Sequence, residues 1–316
     1  MTTTQPLAER FPGLDPALAA QLEQAAALGL PSIAELTPDQ ARDRVRAGDA
    51  ACPAGPAMRA VTEQVIGPTE IPVRRYQPFD VRASAAVMWF HGGGWVTGDL
   101  GYSDEICRLI ADAACAEVIS VAYRLAPEHR FPAAVQDGLA AARGVATGAA
   151  GLPPGPIVLA GDSAGGNIAA VCAQQLGSDP EVALAGQLLV YPVLDDDISR
   201  DSYLRNDGVV LGAREMSWFF DHYCPAGERG SPLFAPLRAP GLAGLPPTVI
   251  AIAGHDPLHD EGAAYARALA AAGVDVTVAD YPALVHGFLR FTGISPAAAA
   301  AARELTRAAA RLARSS

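Results

Sequence analysis

Ile157-Val158-Leu159-Ala160-Gly161-Asp162-Ser163-Ala164-Gly165 decides how the rest of the chain is read. Four apolar residues run into a G-x-S-x-G pentapeptide, and a helix-compatible stretch from Asn167 to Leu176 follows. So tight a turn between strand and helix forces the serine into a cramped backbone conformation, which the chain reaches only with residues lacking bulk two positions to either side. The serine hydroxyl is then held out above the sheet. The unpaired N–H groups and positive dipole end of the following helix face the same point, which favours the negative charge that develops in acyl transfer. A pentapeptide this short also arises by chance, so its companions in the chain carry the decision.

The first companion lies upstream, where Ala85-Ala86-Val87-Met88-Trp89-Phe90 leads into His91-Gly92-Gly93-Gly94-Trp95. A strand that runs into three glycines frees backbone N–H groups at its carboxyl end, and an HGGG-type loop ahead of the nucleophile is the usual partner of the elbow in esterases. The amides of Gly92, Gly93 and Gly94, with that of Ala164 at the start of the helix, are the expected oxyanion donors. A phosphate-cradling loop is the competing reading, but no Gly-Lys-Ser/Thr follows and the chain has no lysine at all.

At these residues the chain resembles bacterial members of the hormone-sensitive-lipase-like family (family IV) of α/β-hydrolase carboxylesterases. The resemblance spans Val87 to Phe288. It rests on His91 to Trp95, Tyr123-Arg124-Leu125-Ala126-Pro127-Glu128-His129, Gly161 to Asn167, Tyr191-Pro192-Val193-Leu194-Asp195, Leu242 to Pro247, Asp256-Pro257-Leu258-His259-Asp260-Glu261-Gly262 and His286-Gly287-Phe288. It implies an α/β-hydrolase fold, with a mostly parallel central sheet, helices on both faces and a helical cap. It also implies a serine nucleophile with an Asp and a His, short-chain esters as small-molecule substrates, and no cofactor or metal. Residues 1 to about 60 carry no matching segment.

The serine needs a base and an orienting carboxylate, which in α/β-hydrolases follow it in the order Ser, Asp or Glu, His. Asp256 comes after an apolar segment ending near Ala253, and His286 after the next; both match the family motif. Ser163, His286 and Asp256 are thus the expected nucleophile, general base and orienting group. Asp260 is close enough in sequence to compete with Asp256. Among the other histidines, His91 is expected to hold the glycine loop through a backbone hydrogen bond, and His129 and His222 to lie at the surface or in the cap. His255 and His259 are four apart and would offer two imidazoles to zinc from one helical face, although Pro257 restricts that turn.

Short helices are expected over Asp15 to Ala27 and from Thr37-Pro38-Asp39-Gln40, an N-cap, N1 proline and capping-box Gln. Strands are expected at Val61 to Ile66, Ile71 to Tyr76, before His91, Glu117 to Tyr123, Leu184 to Tyr191, Pro247 to Ala253 and Val274 to Tyr281. Helices over Asp104 to Ala116, Pro132 to Ala146, Glu261 to Ala272 and Pro296 to Arg314 alternate with them. This rhythm means a parallel sheet with a site at the carboxyl ends of its strands. Residues 195 to 244 break it with a knot of aromatics, Tyr203, Trp218, Phe219, Phe220 and Tyr223, and read as an insertion. With residues 1 to about 55 it would form the cap, its rings either lining the pocket or packing the cap onto the sheet.

The 316 residues, half of them apolar, suit one elaborated domain. A net charge of −11 with no basic cluster argues against nucleic acid as a partner. The absence of lysine excludes Schiff-base chemistry, pyridoxal-phosphate anchoring and Ser-Lys dyads. Five scattered cysteines, Cys52, Cys107, Cys115, Cys172 and Cys224, read as reduced small hydrophobes of a cytoplasmic protein. The polar start and the lack of any long apolar run give no secretory signal and no membrane span. Two alternatives stay open, an amidase or formamidase using the same triad and a non-catalytic receptor of the same fold; a homodimer paired through an edge strand is a third open question.

Overall fold

A computed structural model of the protein describes residues 5–149 and 151–314. Its eight strands are β1 (Ala60–Ile66), β2 (Ile71–Gln77), β3 (Ala86–Phe90), β4 (Val118–Val121), β5 (Ile157–Asp162), β6 (Leu184–Val190), β7 (Thr248–His255) and β8 (Val276–Val285), joined in one sheet of order β1-β2-β4-β3-β5-β6-β7-β8. β1 and β2 form an antiparallel hairpin, β2 pairs antiparallel with β4, and every pairing from β4 onward is parallel.

The continuous apolar runs of the central strands are explained by burial on both faces. In β3, Val87 and Trp89 point into one core and Met88 and Phe90 into the other, all four fully buried. In chain order the helices are α1 (Leu7–Arg10), α2 (Pro16–Ala27), α3 (Pro38–Asp49), α4 (Asp104–Ala114), α5 (Ala133–Ala146), α6 (Ala164–Leu176), α7 (Asp201–Arg205), α8 (Ala213–Tyr223), α9 (His259–Ala271) and α10 (Pro296–Arg314). The core on one side of the sheet takes residues from α4 and α10, and that on the other from α5, α6 and α9. Burying a large apolar side chain contributes about 1.5–3 kcal/mol, so these two layers carry most of the stabilisation.

The N-terminal helices are capped as their sequence dictates. Asp15 accepts the Leu18 N–H at 3.0 Å, and Thr37 and Gln40 form the reciprocal capping box. The structure adds α1 and a 3₁₀ turn at Ile33–Glu35, itself closed by a capping box from Ser32. Beyond β6, residues 195–244 hold α7, α8 and two 3₁₀ turns, Ala226–Glu228 and Pro236–Arg238, and no strand among the described residues.

Two expected strand ends fall short of the observed ones. β7 continues to His255 and β8 to Val285, because after an irregularity at Ala253/His255 the pair resumes with His255 opposite Val285. That extension carries both strands up to the loops that bear Asp256 and His286. No helix among the described residues is long and apolar enough to cross a membrane.

Candidate active site

Ser163 sits between β5 and α6 with φ 54° and ψ −118°, a positive-φ conformation outside the ordinary wells and costly for a residue with a side chain. The neighbouring backbone holds it there: its N–H donates to Val190 O at 2.9 Å and its carbonyl accepts the Val193 N–H at 3.2 Å. Both flanking glycines are required by space. A Cβ on Gly165 would run into the carbonyl oxygens of Phe90 and His91, and one on Gly161 would lie 2.6 Å from Phe90 O. The elbow is therefore wedged against the end of β3, the strand that feeds the glycine loop.

His286 follows β8, and its Nε2 lies 3.0 Å from Ser163 Oγ. Its Nδ1 is 2.8 Å from Asp256 Oδ2, and Asp256 is fully buried with its second oxygen accepting the Leu258 N–H at 2.8 Å. A carboxylate accepting from the imidazole Nδ1–H leaves Nε2 as the acceptor toward the serine. The Asn206 side-chain amide donates to the Asp256 carbonyl at 3.0 Å, so the end of α7 steadies the loop. The three residues expected from the chain order thus come together from three separate loops. Asp260 lies elsewhere: it accepts the Ser202 N–H at 2.9 Å and pairs with Arg205 at 3.0 Å.

The glycine loop is anchored at His91 O, Gly92 N–H, Gly92 O and Gly93 O. Tyr123 OH donates to His91 O at 2.8 Å and its ring stacks on His91 with centroids 4.3 Å apart. Burial pushes His91 down to about 4, which keeps the imidazole neutral, and its Nδ1–H donates to Gly92 O at 2.7 Å. Thr97 Oγ1 and the Thr97 and Val96 N–H groups donate to Gly93 O. The Gly92 N–H donates to Asp162 Oδ1 at 2.9 Å, so of the four amides expected around an oxyanion this one is already engaged and does not face the cleft. Gly93 and Gly94 line the cleft beside Ser163 and His286. Ala164 opens α6, where its N–H has no acceptor within the helix.

That cleft, of about 620 Å³, is walled by Leu22, Leu30 and Ile33 from the N-terminal segment and by Val209, Leu211, Met216 and Phe219 from the segment containing α8. Both stretches read as a cap therefore reach the site. Ser32 Oγ donates to Glu215 Oε1 at 2.5 Å, joining one to the other. The aromatic knot divides its roles. Phe219 faces the cleft, whereas Tyr223 stacks on Trp95 at 4.5 Å and Phe220 packs edge-on against Phe234 at 5.4 Å, packing α8 onto the glycine loop and onto the chain between the two 3₁₀ turns of its own insertion.

Several residues that matter here carried no readable signal. Arg42 of α3 donates to Val96 O, Ala126 O and both Glu128 oxygens, clamping the N-terminal segment onto the glycine loop, and it holds Glu128 down to about 2. Arg290 reaches Asp49 at 2.7 Å, and its guanidinium lies 4.3 Å from the Tyr102 ring centroid. Asp162, inside the pentapeptide, gave no sign of its bond to the loop. His255 ends β7 while His259 begins α9, so the two do not share a helical face and the zinc geometry fails. His255 instead meets Phe11 edge-on at 6.1 Å and His259 Nδ1 lies 3.0 Å from Asp260. His129 is exposed and His222, on α8, bonds Trp218 O at 2.8 Å.

A serine on a strained elbow, an imidazole on a buried carboxylate and a glycine loop at the carboxyl ends of parallel strands define a hydrolase of the α/β class. Residues 87–290 match the family described as alpha/beta hydrolase fold, and the chain belongs to it, in the hormone-sensitive-lipase-like branch. Carboxylesterase NlhH of Mycobacterium tuberculosis is 45% identical over 246 residues, covering 74% of this chain and 76% of that protein. The ethyl acetate hydrolase of Pseudomonas putida is 39% identical over 232 residues, covering 71% and 73%. Among solved structures, the hyperthermophilic esterase of Pyrobaculum calidifontis superposes with a TM-score of 0.87 at 34% identity, covering 95% of this chain and 99% of that one.

Proposed function

We infer that this chain, a carboxylesterase by family, hydrolyses short-chain acyl esters through a Ser163-His286-Asp256 triad and a covalent acyl-enzyme. The observation that carries the reading is the continuous chain of contacts Ser163 Oγ to His286 Nε2 at 3.0 Å and His286 Nδ1 to Asp256 Oδ2 at 2.8 Å. Ser163 Oγ attacks the ester carbonyl while His286 Nε2 takes its proton, and Asp256 stabilises the imidazolium that forms. The carbonyl oxygen, now negative, is received by the N–H groups of Gly93, Gly94 and Ala164. Collapse of the tetrahedral intermediate expels the alcohol, which takes the proton from His286. A water deprotonated by the same imidazole then attacks the acyl-serine and releases the acid.

The preference for short acyl groups is supported by the bulky apolar side chains Leu211, Met216 and Phe219 among the residues that line the cleft beside Ser163. The name of the P. putida relative points the same way. The test is a panel of p-nitrophenyl esters of rising acyl length, run on the wild type and on Ser163→Ala. Turnover that peaks at short acyl groups and vanishes in the alanine variant is the expected result. Retained turnover in Ser163→Ala overturns the mechanism, and a peak at long chains overturns the substrate class.

A further inference from the structure

The residue before the nucleophile bridges the two halves of the catalytic apparatus. Asp162 is the last residue of β5, and its side chain crosses to the strand beside it, where Oδ1 accepts the Gly92 N–H at 2.9 Å. β3 and β5 are direct neighbours, with Phe90 opposite Gly161, so the elbow and the glycine loop leave the sheet side by side. The carboxylate spans the gap between them just beyond the last paired residues. It is 2% exposed, and a Cβ placed on Gly92 would collide with its Oδ2 and approach Tyr102 OH to 3.0 Å. The contact therefore has no slack in either direction.

The orientation of one peptide plane decides what the next amides do. Gly92 N–H is held by Asp162, Gly92 O by His91 and Gly93 O by Thr97, which leaves the amides of Gly93 and Gly94 as the part of the loop that lines the cleft. The other anchors are hydroxyl, imidazole and backbone N–H donors to carbonyl oxygens. Asp162 is the acceptor that takes an N–H of this loop, and together with Tyr123, which holds His91 O, it fixes the His91–Gly92 peptide at both ends, the plane from which the Gly92–Gly93 and Gly93–Gly94 peptides continue. Oxyanion donors act through preorganisation, and misaiming them weakens binding of the transition state rather than of the substrate.

We propose that Asp162 is a positioning residue for the oxyanion hole, aiming the Gly93 and Gly94 amides by accepting the Gly92 N–H from the strand that presents Ser163. This rests on the esterase reading above. Its chemistry needs an acceptor at Oδ1 and not a charge, so an amide in the same place should serve.

The test compares wild type, Asp162→Asn and Asp162→Ala with p-nitrophenyl acetate, together with the affinity of each for a trifluoromethyl ketone that forms a tetrahedral oxyanion on the serine. Asp162→Ala should lower kcat by about 10–100-fold with KM within about threefold, and weaken the ketone by a similar factor. Asp162→Asn should retain kcat within about fivefold and restore the ketone affinity. Three results overturn the assignment: an alanine variant with wild-type kcat, an asparagine variant that loses as much as the alanine one, or an alanine variant that fails to fold, which would make Asp162 a fold-holding group. Absence of wild-type turnover on the ester, or persistent turnover in Ser163→Ala, would instead sink the esterase reading itself.

Discussion

Replacing Asp162 by Asn should shift the balance of stability toward the variant as pH rises from acid to alkaline. The carboxyl is buried beneath the glycine loop with Tyr102, Arg290 and Asp49 around the same small cavity. Burial pushes it up from its ordinary 3.8 to about 6, against the opposing pull of the Gly92 N–H, His286 and Arg290. A carboxyl raised on folding binds its proton more tightly in the folded chain than in the unfolded one. Its contribution is thus fully present below the unfolded value of 3.8 and is lost as pH rises through the folded value of about 6. A rise from 3.8 to about 6 corresponds to about 3 kcal/mol. The amide has no proton to lose, so the stability difference between Asp162→Asn and wild type should shift in the variant's favour by about 3 kcal/mol between about pH 3 and about pH 8. Urea denaturation of both proteins at closely spaced pH values measures it. Any fixed offset from swapping an oxygen for an NH₂ is the same at every pH, so the slope carries the information. A difference that stays flat across this range, or a wild type that gains on the variant as pH rises, would refute a raised carboxyl.

Three further outcomes follow from particular contacts. Asp256→Asn should lower kcat by about 10²–10⁴, whereas Asp260→Asn should leave kcat within about threefold and lower Tm by loosening the Ser202 and Arg205 contacts; steady-state kinetics and thermal melts of the pair separate the two roles. Gly94→Ala would set a Cβ against the Phe219 ring, 2.6 Å from Cε1, at a φ of +59°, and should cost about 1–3 kcal/mol of stability together with a fall in kcat of at least about 10-fold, read from melts and p-nitrophenyl acetate turnover. Phe219→Ala should open the same wall of the cleft and move the optimum acyl length upward, visible as a rise of about tenfold in the kcat/KM ratio of a long to a short p-nitrophenyl ester.

Much of this site was legible because its signals are local. The nucleophile elbow needs two glycines at fixed offsets, and each proves to sit where a Cβ would strike backbone. The order Ser163, Asp256, His286 follows from strands whose carboxyl ends all point one way, so any loop after a parallel strand delivers its residues to one edge. What misled was the assumption that every amide of a glycine loop faces the cleft. The Gly92 N–H is turned toward Asp162, and whether a peptide plane faces substrate or scaffold depends on an acceptor 70 residues away in sequence. The strand ends at Ala253 and Tyr281 were set too early for a similar reason: the pairing breaks register at Ala253/His255, and only the partner strand restores it with His255 opposite Val285.

By itself the sequence determined the class of fold, the nucleophile and the candidates for its partners, since strand-helix alternation, glycine placement and residue type are properties of short segments. Tertiary structure decided what depends on convergence. Asp256 and Asp260 are near neighbours in the chain, and only packing turns one toward His286 and the other toward Arg205. Trp218, Phe219, Phe220 and Tyr223 are consecutive or nearly so on one helix, and only the direction of each on α8 sends Phe219 to the cleft and Tyr223 onto Trp95. Arg42 and Glu128, 86 residues apart, clamp a segment with no motif of its own onto the glycine loop. A side chain's type states what it can bond, but its direction and partner are fixed by the close packing of elements that meet only in the folded chain.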